Sequence, residues 1–253
     1  MVSRRRSKRT CQRGRNNEKR RSIRESVKSL RIPRFRRFTT VQLLVALGLL
    51  FFAFPFVEEV KGGDIIVSLL FSLVLISAAL AVASRRRTLV VALFLLIPAI
   101  VGRWINHFRP HLVPPAVFLV AGLVLVAFVV VNLLRFVLRA PSVNIDVLCA
   151  SISAYLMLGL MWTMAYWLVD QLTPEGAFSF NTNAGRHSMN GFNAFYFSFV
   201  TLSTVGYGDI TPVSRVARML AAMEAMTGLL YMAILIARLV ALYSSPKSDD
   251  PSA

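Results

Sequence analysis

Two features of this sequence could do chemistry. One is the segment Thr201-Leu202-Ser203-Thr204-Val205-Gly206-Tyr207-Gly208-Asp209, and the other is Glu224, a carboxyl inside the apolar run Val213–Tyr243. In the first, Gly206 and Gly208 alternate with residues that carry side chains. Glycine takes positive φ without the Cβ penalty, so the backbone here can adopt angles that other sequences resist. In the second, an ionisable group within an apolar helix is expensive to bury and is a functional candidate by default. Enzyme chemistry finds less support. Ser151 and His107 lack a Gly-x-Ser-x-Gly setting, and no His-Glu-x-x-His pair occurs. His187 has no carboxylate or cysteine cluster beside it and reads as a solvated loop residue. Cys11 and Cys149 lie in very different surroundings, so neither a disulfide nor a metal site is expected.

The Thr204–Gly208 segment, with Asp209 after it, resembles the signature of potassium channels. This loop is itself the standard example of a selectivity filter, so it is identified by resemblance rather than derived. The likeness is close across Phe192–Tyr243 and loose elsewhere. It implies that the carbonyls of Thr204, Val205, Gly206 and Tyr207 form stacked oxygen rings that replace the hydration shell of potassium, with the Thr204 hydroxyl adding an innermost ring. Gly208 and Asp209 then support the filter. One chain carries one such segment, so a closed ring needs this chain and three identical subunits, a cyclic homotetramer. In the family the Asp after the filter is often tied to a pore-helix aromatic. Here Tyr196 is expected to donate to Asp209, while the Tyr207 ring packs against Tyr196 and Phe197. Some relatives place a Glu where this chain has Val200, so that contact is missing.

These residues need elements to position them. About 30 Å of hydrocarbon takes about 20 helical residues. Six runs qualify: Val41–Val57, Ile65–Ala83, Thr88–Ile105, Pro115–Leu134, Val147–Val169 and Val213–Tyr243. Phe192–Ser203 is too short to span and reads as a re-entrant pore helix whose C-terminal end favours a cation. The polar stretch Asp170–Asn190, with Pro174, Gly176 and Gly185, reads as an extracellular turret. The expected fold is an all-α membrane protein, with six transmembrane helices and a filter loop between the fifth and sixth. Its parts are a basic tail (1–38), a four-helix region (39–140), a pore domain (141–243) and a short tail (244–253).

Charge gives the orientation. The chain has 253 residues, 56% hydrophobic, and a net charge of +17; its mean hydropathy is +0.61. The first 38 residues hold 16 Lys or Arg against Glu18 and Glu25, a charge of +14, leaving +3 for the rest. The tail, Arg85–Arg87 and the Arg135/Arg139 linker fall on one side, and the acidic loop Glu58–Asp64 on the other. The positive-inside rule makes both termini cytoplasmic. The tail precedes a hydrophobic helix, so anionic lipid is its expected partner rather than nucleic acid, at about 1 kcal/mol for each basic residue near the surface. Arg103 and Arg109 are exceptions on the outer side; Arg103 is expected to snorkel beside Trp104, and Arg238 likewise at the inner end. The first apolar run lacks a small-x-small cleavage site, which speaks against a signal peptide, while the Arg- and Ser-rich, acid-poor tail is compatible with an organelle transit peptide. A bacterial inner membrane is the expected location.

The last span carries the gating candidates. Gly228 lies 20 residues beyond Gly208, where related inner helices bend. It reads either as that hinge or as a small residue that allows close packing. Leu229, Met232, Ile236 and Val240 should line an apolar cavity or gate. Glu224 lies about 140° from Leu229 around the helix. It therefore points behind the pore, either bracing the filter or sensing pH. The fourth span, Leu112–Leu134, holds no Lys or Arg. A charge crossing the field is worth about 2.3 kcal/mol per 100 mV, so steep voltage gating is not expected.

Other classes are weighed by the same residues. An uptake transporter would usually repeat the two-helix unit and degrade the filter, and a non-conducting sensor would not need an intact one. Neither an organic cofactor nor a regulatory domain is expected; potassium is the permeant ligand.

Overall fold

The computed structural model describes residues 35–57, 62–82, 86–108, 114–140, 144–181, 189 and 191–244. Residues 1–34 of the basic tail, His187 and residues 245–253 lie outside the described residues, while 35–38 belong to the first helix. Among the described residues, seven helices and two short strands follow in order: α1 Phe35–Val57, α2 Gly63–Val82, α3 Arg86–Phe108, α4 Pro115–Arg139, α5 Ile145–Leu172, β1 Phe178–Phe180, α6 Gly191–Leu202, β2 Ile210–Pro212 and α7 Arg215–Ser244. All but α6 are long and apolar enough to cross a membrane. The chain is an all-α, multi-pass membrane protein, and the six expected spans appear with ends shifted by a few residues.

Local sequence sets the ends. Pro115 opens α4, where its missing N–H is harmless. The last span starts two residues later than expected. Pro212 closes β2, and Ser214 caps the helix by accepting from Ala217 N at 3.1 Å. Within the spans, polar side chains return hydrogen bonds to their own helix. Ser72 bonds Ser68 O at 2.7 Å, Asn132 bonds Phe128 O at 2.7 Å and Ser151 bonds Val147 O at 2.7 Å. In hydrocarbon there is no water to take that role. Close helix approach uses glycine. A Cβ at Gly159 would lie 2.2 Å from the Phe199 ring, and one at Gly122 would lie 2.4 Å from Met164 Cε.

The strands were not expected. β1 and β2 pair antiparallel with Phe178 opposite Pro212 and Phe180 opposite Ile210, so part of the polar loop is ordered against the segment that follows Asp209. Phe178 is buried edge-on to Tyr166 and Phe197. The Asp170 carboxylate at the end of α5 accepts from Ala177 N at 3.2 Å and Met189 N at 3.3 Å.

The two arginines expected to snorkel both have partners within the protein. The Arg103 guanidinium lies 5.7 Å from the Phe71 ring centroid and 5.9 Å from that of Trp167. It is also attracted by Asp64. Aromatic faces and a carboxylate on neighbouring helices hold this charge in place. Arg238 of α7 donates from Nη1 to Leu138 O and from Nη2 to Ala140 O, the latter at 2.7 Å. It thereby caps carbonyls that the end of α4 leaves without helical partners. Arg238→Ala should lower stability by about 1.5–3 kcal/mol, the usual range for hydrogen bonds to a charged group. Arg238→Lys should recover little of it, because one ammonium lacks the planar fork. Thermal unfolding of the detergent-solubilised protein checks both.

Candidate functional site

The site is built from the end of α6 downward. This helix has 12 residues, too few to cross a bilayer. Its final carbonyls are capped by the chain that follows. Ser203 N donates to Phe199 O at 3.1 Å, Thr204 N to Thr201 O at 2.9 Å, and Val205 N to Val200 O at 2.9 Å. Gly206 N reaches the same Val200 oxygen at 3.4 Å. The chain therefore turns back beneath its own helix end.

From there it runs with alternating handedness. Thr204 has φ +58°, Gly206 +54° and Gly208 +79°. The glycines were expected to hold such angles; Thr204 was not. A residue with a Cβ costs roughly 1–2 kcal/mol in the left-handed region, and such strain is held only where the surroundings impose it. Val205 is not among the positive-φ residues, so handedness reverses at successive residues and an ordinary helix or strand cannot form. Ser203 through Gly208 are all exposed in the single chain, with Val205 at 53% and Tyr207 at 71%.

Side chains brace this segment. The Tyr196 and Tyr207 rings stack at 6.4 Å with planes 4° apart, as expected. Phe197 instead lies edge-on to Tyr166 and Phe178, because the next helical position turns about 100° away. The Tyr196 hydroxyl hydrogen-bonds the Asp209 carboxylate. Burial first, and then that carboxylate, push the phenol up to about 12, so Tyr196 keeps its hydrogen as a donor at ordinary pH. Asp209 Oδ1 also accepts from its neighbour Ile210 N at 3.0 Å.

Glu224 is fully buried and joins three helices. The Tyr166 hydroxyl of α5 donates to its Oε2. Ser198 Oγ of α6 lies 2.6 Å from its Oε1 and 2.8 Å from Gly159 O. A hydroxyl has one hydrogen, so Ser198 either shares it between the two oxygens or takes a second from a protonated Glu224 carboxyl. Tyr166 and Ser198 had drawn no notice in the sequence. A lone Ser in an apolar helix ordinarily bonds back to its own turn, and no pattern marks one that bonds across.

Gly228 is where α7 meets the end of α6. A Cβ there would lie 2.2 Å from Leu202 O, so close packing requires the glycine whether or not it also bends. On another face, Leu229, Met232, Ile236 and Val240 are 60%, 45%, 56% and 61% exposed. The divergence expected between Glu224 and Leu229 is present.

Among the described residues no cluster of His, Cys, Asp or Glu could hold a metal ion. The oxygen-rich element of the site is the backbone itself.

The sequence model of an ion channel family, Ion_trans_2, matches residues 155–245. The match takes in the latter part of α5, the whole of α6, the Thr204–Gly208 segment and α7. Two-pore potassium channel 4 of Arabidopsis thaliana is 46% identical over 48 residues, which is 19% of this chain and 17% of that relative. The chain thus matches about a sixth of the relative's length. No solved structure shows a significant match. The family matched is one of ion channels rather than of enzymes.

Two predictions follow from the packing around α6. Glu224→Gln should keep stability near that of the wild type, since an amide offers both an acceptor to Tyr166 and a donor to Ser198. Glu224→Leu should lower it by about 1–2 kcal/mol for each bond lost. Thermal unfolding in detergent separates the two, and a pH dependence of ion flux that disappears in Glu224→Gln would mark Glu224 as a sensor. Gly228→Ala should lower stability by about 1–3 kcal/mol through overpacking against Leu202. An unchanged melting temperature would show that α6 and α7 can separate without penalty.

Proposed function

We propose that this chain is the pore-forming subunit of a potassium-selective channel, conducting passively and without steep voltage dependence. The observation that carries the reading is the exposed, left-handed-alternating backbone from Thr204 to Gly208 at the end of a half-length helix. Hydrocarbon does not tolerate irregular backbone unless it is buried in protein or lines a water-filled path. The segment must therefore be covered by other subunits around a wet axis. Three further copies of this chain are the simplest cover, because each supplies an identical quarter of a ring. In that assembly Thr204, Val205, Gly206 and Tyr207 offer carbonyl oxygens to potassium in place of water. Gly208 and Asp209 hold the outer end. Residues 39–140 form a four-helix region beside the pore domain at 141–243, and Met232 and Ile236 of α7 face the cavity.

The basic residues of the tail, of Arg85–Arg87 and of Arg135 and Arg139 put both termini in the cytoplasm. The 1–38 tail meets anionic lipid and the 244–253 segment remains on the same side. A bacterial inner membrane fits these features. The 48-residue likeness to a protein named as a potassium channel supports the ion assignment.

Purified protein in liposomes should pass potassium well ahead of sodium, and Gly206→Ala should abolish the flux. Unit conductance in planar bilayers distinguishes a channel from an uptake transporter, whose turnover is far slower. Equal passage of both ions by the wild type, or undiminished flux through Gly206→Ala, would overturn the reading.

A further inference from the structure

We infer that Asn181, a polar residue of the loop before α6, is the positioning residue that fixes the outer boundary of the filter; this rests on the channel reading above. The strand pair β1–β2 ends with Phe180 opposite Ile210. Asn181 is the next residue, and it makes two bonds beyond the ladder. Its backbone N–H donates to Asp209 O at 2.8 Å, and its side-chain Nδ2 donates to Gly208 O at 2.8 Å. One residue thus captures the last two carbonyls of the Thr204–Asp209 segment from 27 positions upstream.

The joint it holds is a soft one. Gly208 has φ +79° and nothing within 4 Å of where a Cβ would stand. Neither sterics nor packing at that carbon sets the orientation of its peptide, so the orientation falls to hydrogen bonds. The frame behind Asn181 is firm. Ala177 O accepts from Val213 N at 2.9 Å and Ser214 N at 3.3 Å. Phe178 is buried against α5 and α6, and Asp170 ties the same loop to the end of α5. The amide of Asn181 is therefore carried on a braced strand end.

The consequence concerns ions at the mouth. With its oxygen engaged by Asn181 of its own chain, Gly208 cannot swing that oxygen freely toward the axis. The outermost ring is then the one made by Tyr207. Without the Asn181 donor the Gly208–Asp209 peptide turns, the outer coordination becomes variable, and the filter fails from its outer end. An ion resident at that end opposes the failure.

The test uses the full-length protein in planar bilayers, with currents followed over time at low and high potassium on the side of the mouth. Asn181→Asp keeps the shape and removes the donor, Asn181→Ala removes the side chain, and Asn181→Gln keeps an amide. In low potassium, the first two should show current decline about fivefold faster than wild type, the factor one neutral hydrogen bond is worth. High potassium should slow the decline, and Asn181→Gln should behave closer to wild type. A role confined to loop folding would instead reduce the number of working channels and leave the time course alone, which would overturn the inference. If Asn181→Asp yields no protein, the Ala and Gln pair decides by the same readout. A wild type that conducts potassium, with Asn181→Asp and Asn181→Ala matching its time course and its potassium-to-sodium permeability ratio, overturns this inference alone. A wild type that passes no potassium overturns the channel reading and this inference together.

Discussion

Irregular backbone cannot be left facing lipid, and the arrangement of α5, α6 and α7 follows from that one constraint. The stretch from Ser203 to Asp209 has neither helical nor ladder pairing of its own to rely on. The N–H groups of Ser203, Thr204, Val205 and Gly206 are instead spent on the end of α6, where Val200 O takes both Val205 N and Gly206 N. That choice leaves the carbonyls as the polar groups on offer. It also forces left-handed angles at Thr204, Gly206 and Gly208, and at Thr204 there is no glycine to relieve them. The strain is tolerable because the preceding turn is pinned by three backbone bonds and the following one by Asn181 and the β1–β2 pair.

Holding a half-length helix in a membrane is itself demanding, since lipid tails are as apolar as leucine and no hydrophobic gain favours one helix over another as neighbour. The chain answers with two devices. One is intimate contact through glycines: Gly159 of α5 faces Phe199, and Gly228 of α7 faces the Leu202 carbonyl. The other is the buried Glu224, which gathers Tyr166 from α5 and Ser198 from α6. Both fail abruptly rather than gradually. A methyl group is too large for the first, and a missing donor or acceptor leaves a polar atom stranded in the second.

Much of this was legible in the sequence because hydropathy and length are global signals. Six apolar runs gave six helices, and the shortness of Phe192–Ser203 marked it as different in kind. Glycine spacing marked Gly206 and Gly208, and helical phase alone sent Glu224 and Leu229 to different faces. What stayed hidden depends on partners rather than on pattern. β1 and β2 are three residues each, too short for alternation to register in a loop rich in Pro, Gly and Asn. Arg103 and Arg238 were assigned by depth, and depth cannot reveal the rings or helix-end carbonyls that each side chain meets. Asn181 looked like any turn residue until the strand pair placed it against Gly208.

The four helices before α5 are attached to α6 and α7 by contacts of different chemistry. At α6, Phe51 of α1 meets Phe195 and Phe199 with centroids 4.7 and 4.5 Å away, and Phe54 meets Phe192 and Phe195. Aromatic contacts of this kind tolerate sliding better than hydrogen bonds do, since their energy varies slowly with offset. At α7, Arg238 grips the last carbonyls of α4 with directional, charge-assisted bonds, which weaken steeply when misaligned. The same turn of α7 exposes Ile236 on another face. The contact between α4 and the Ile236 turn of α7 is therefore directional, whereas that between α1 and α6 is not. The membrane-crossing length of α4 before Arg135 carries no charged residue, so its packing against its neighbours is apolar until Arg238 meets its last carbonyls.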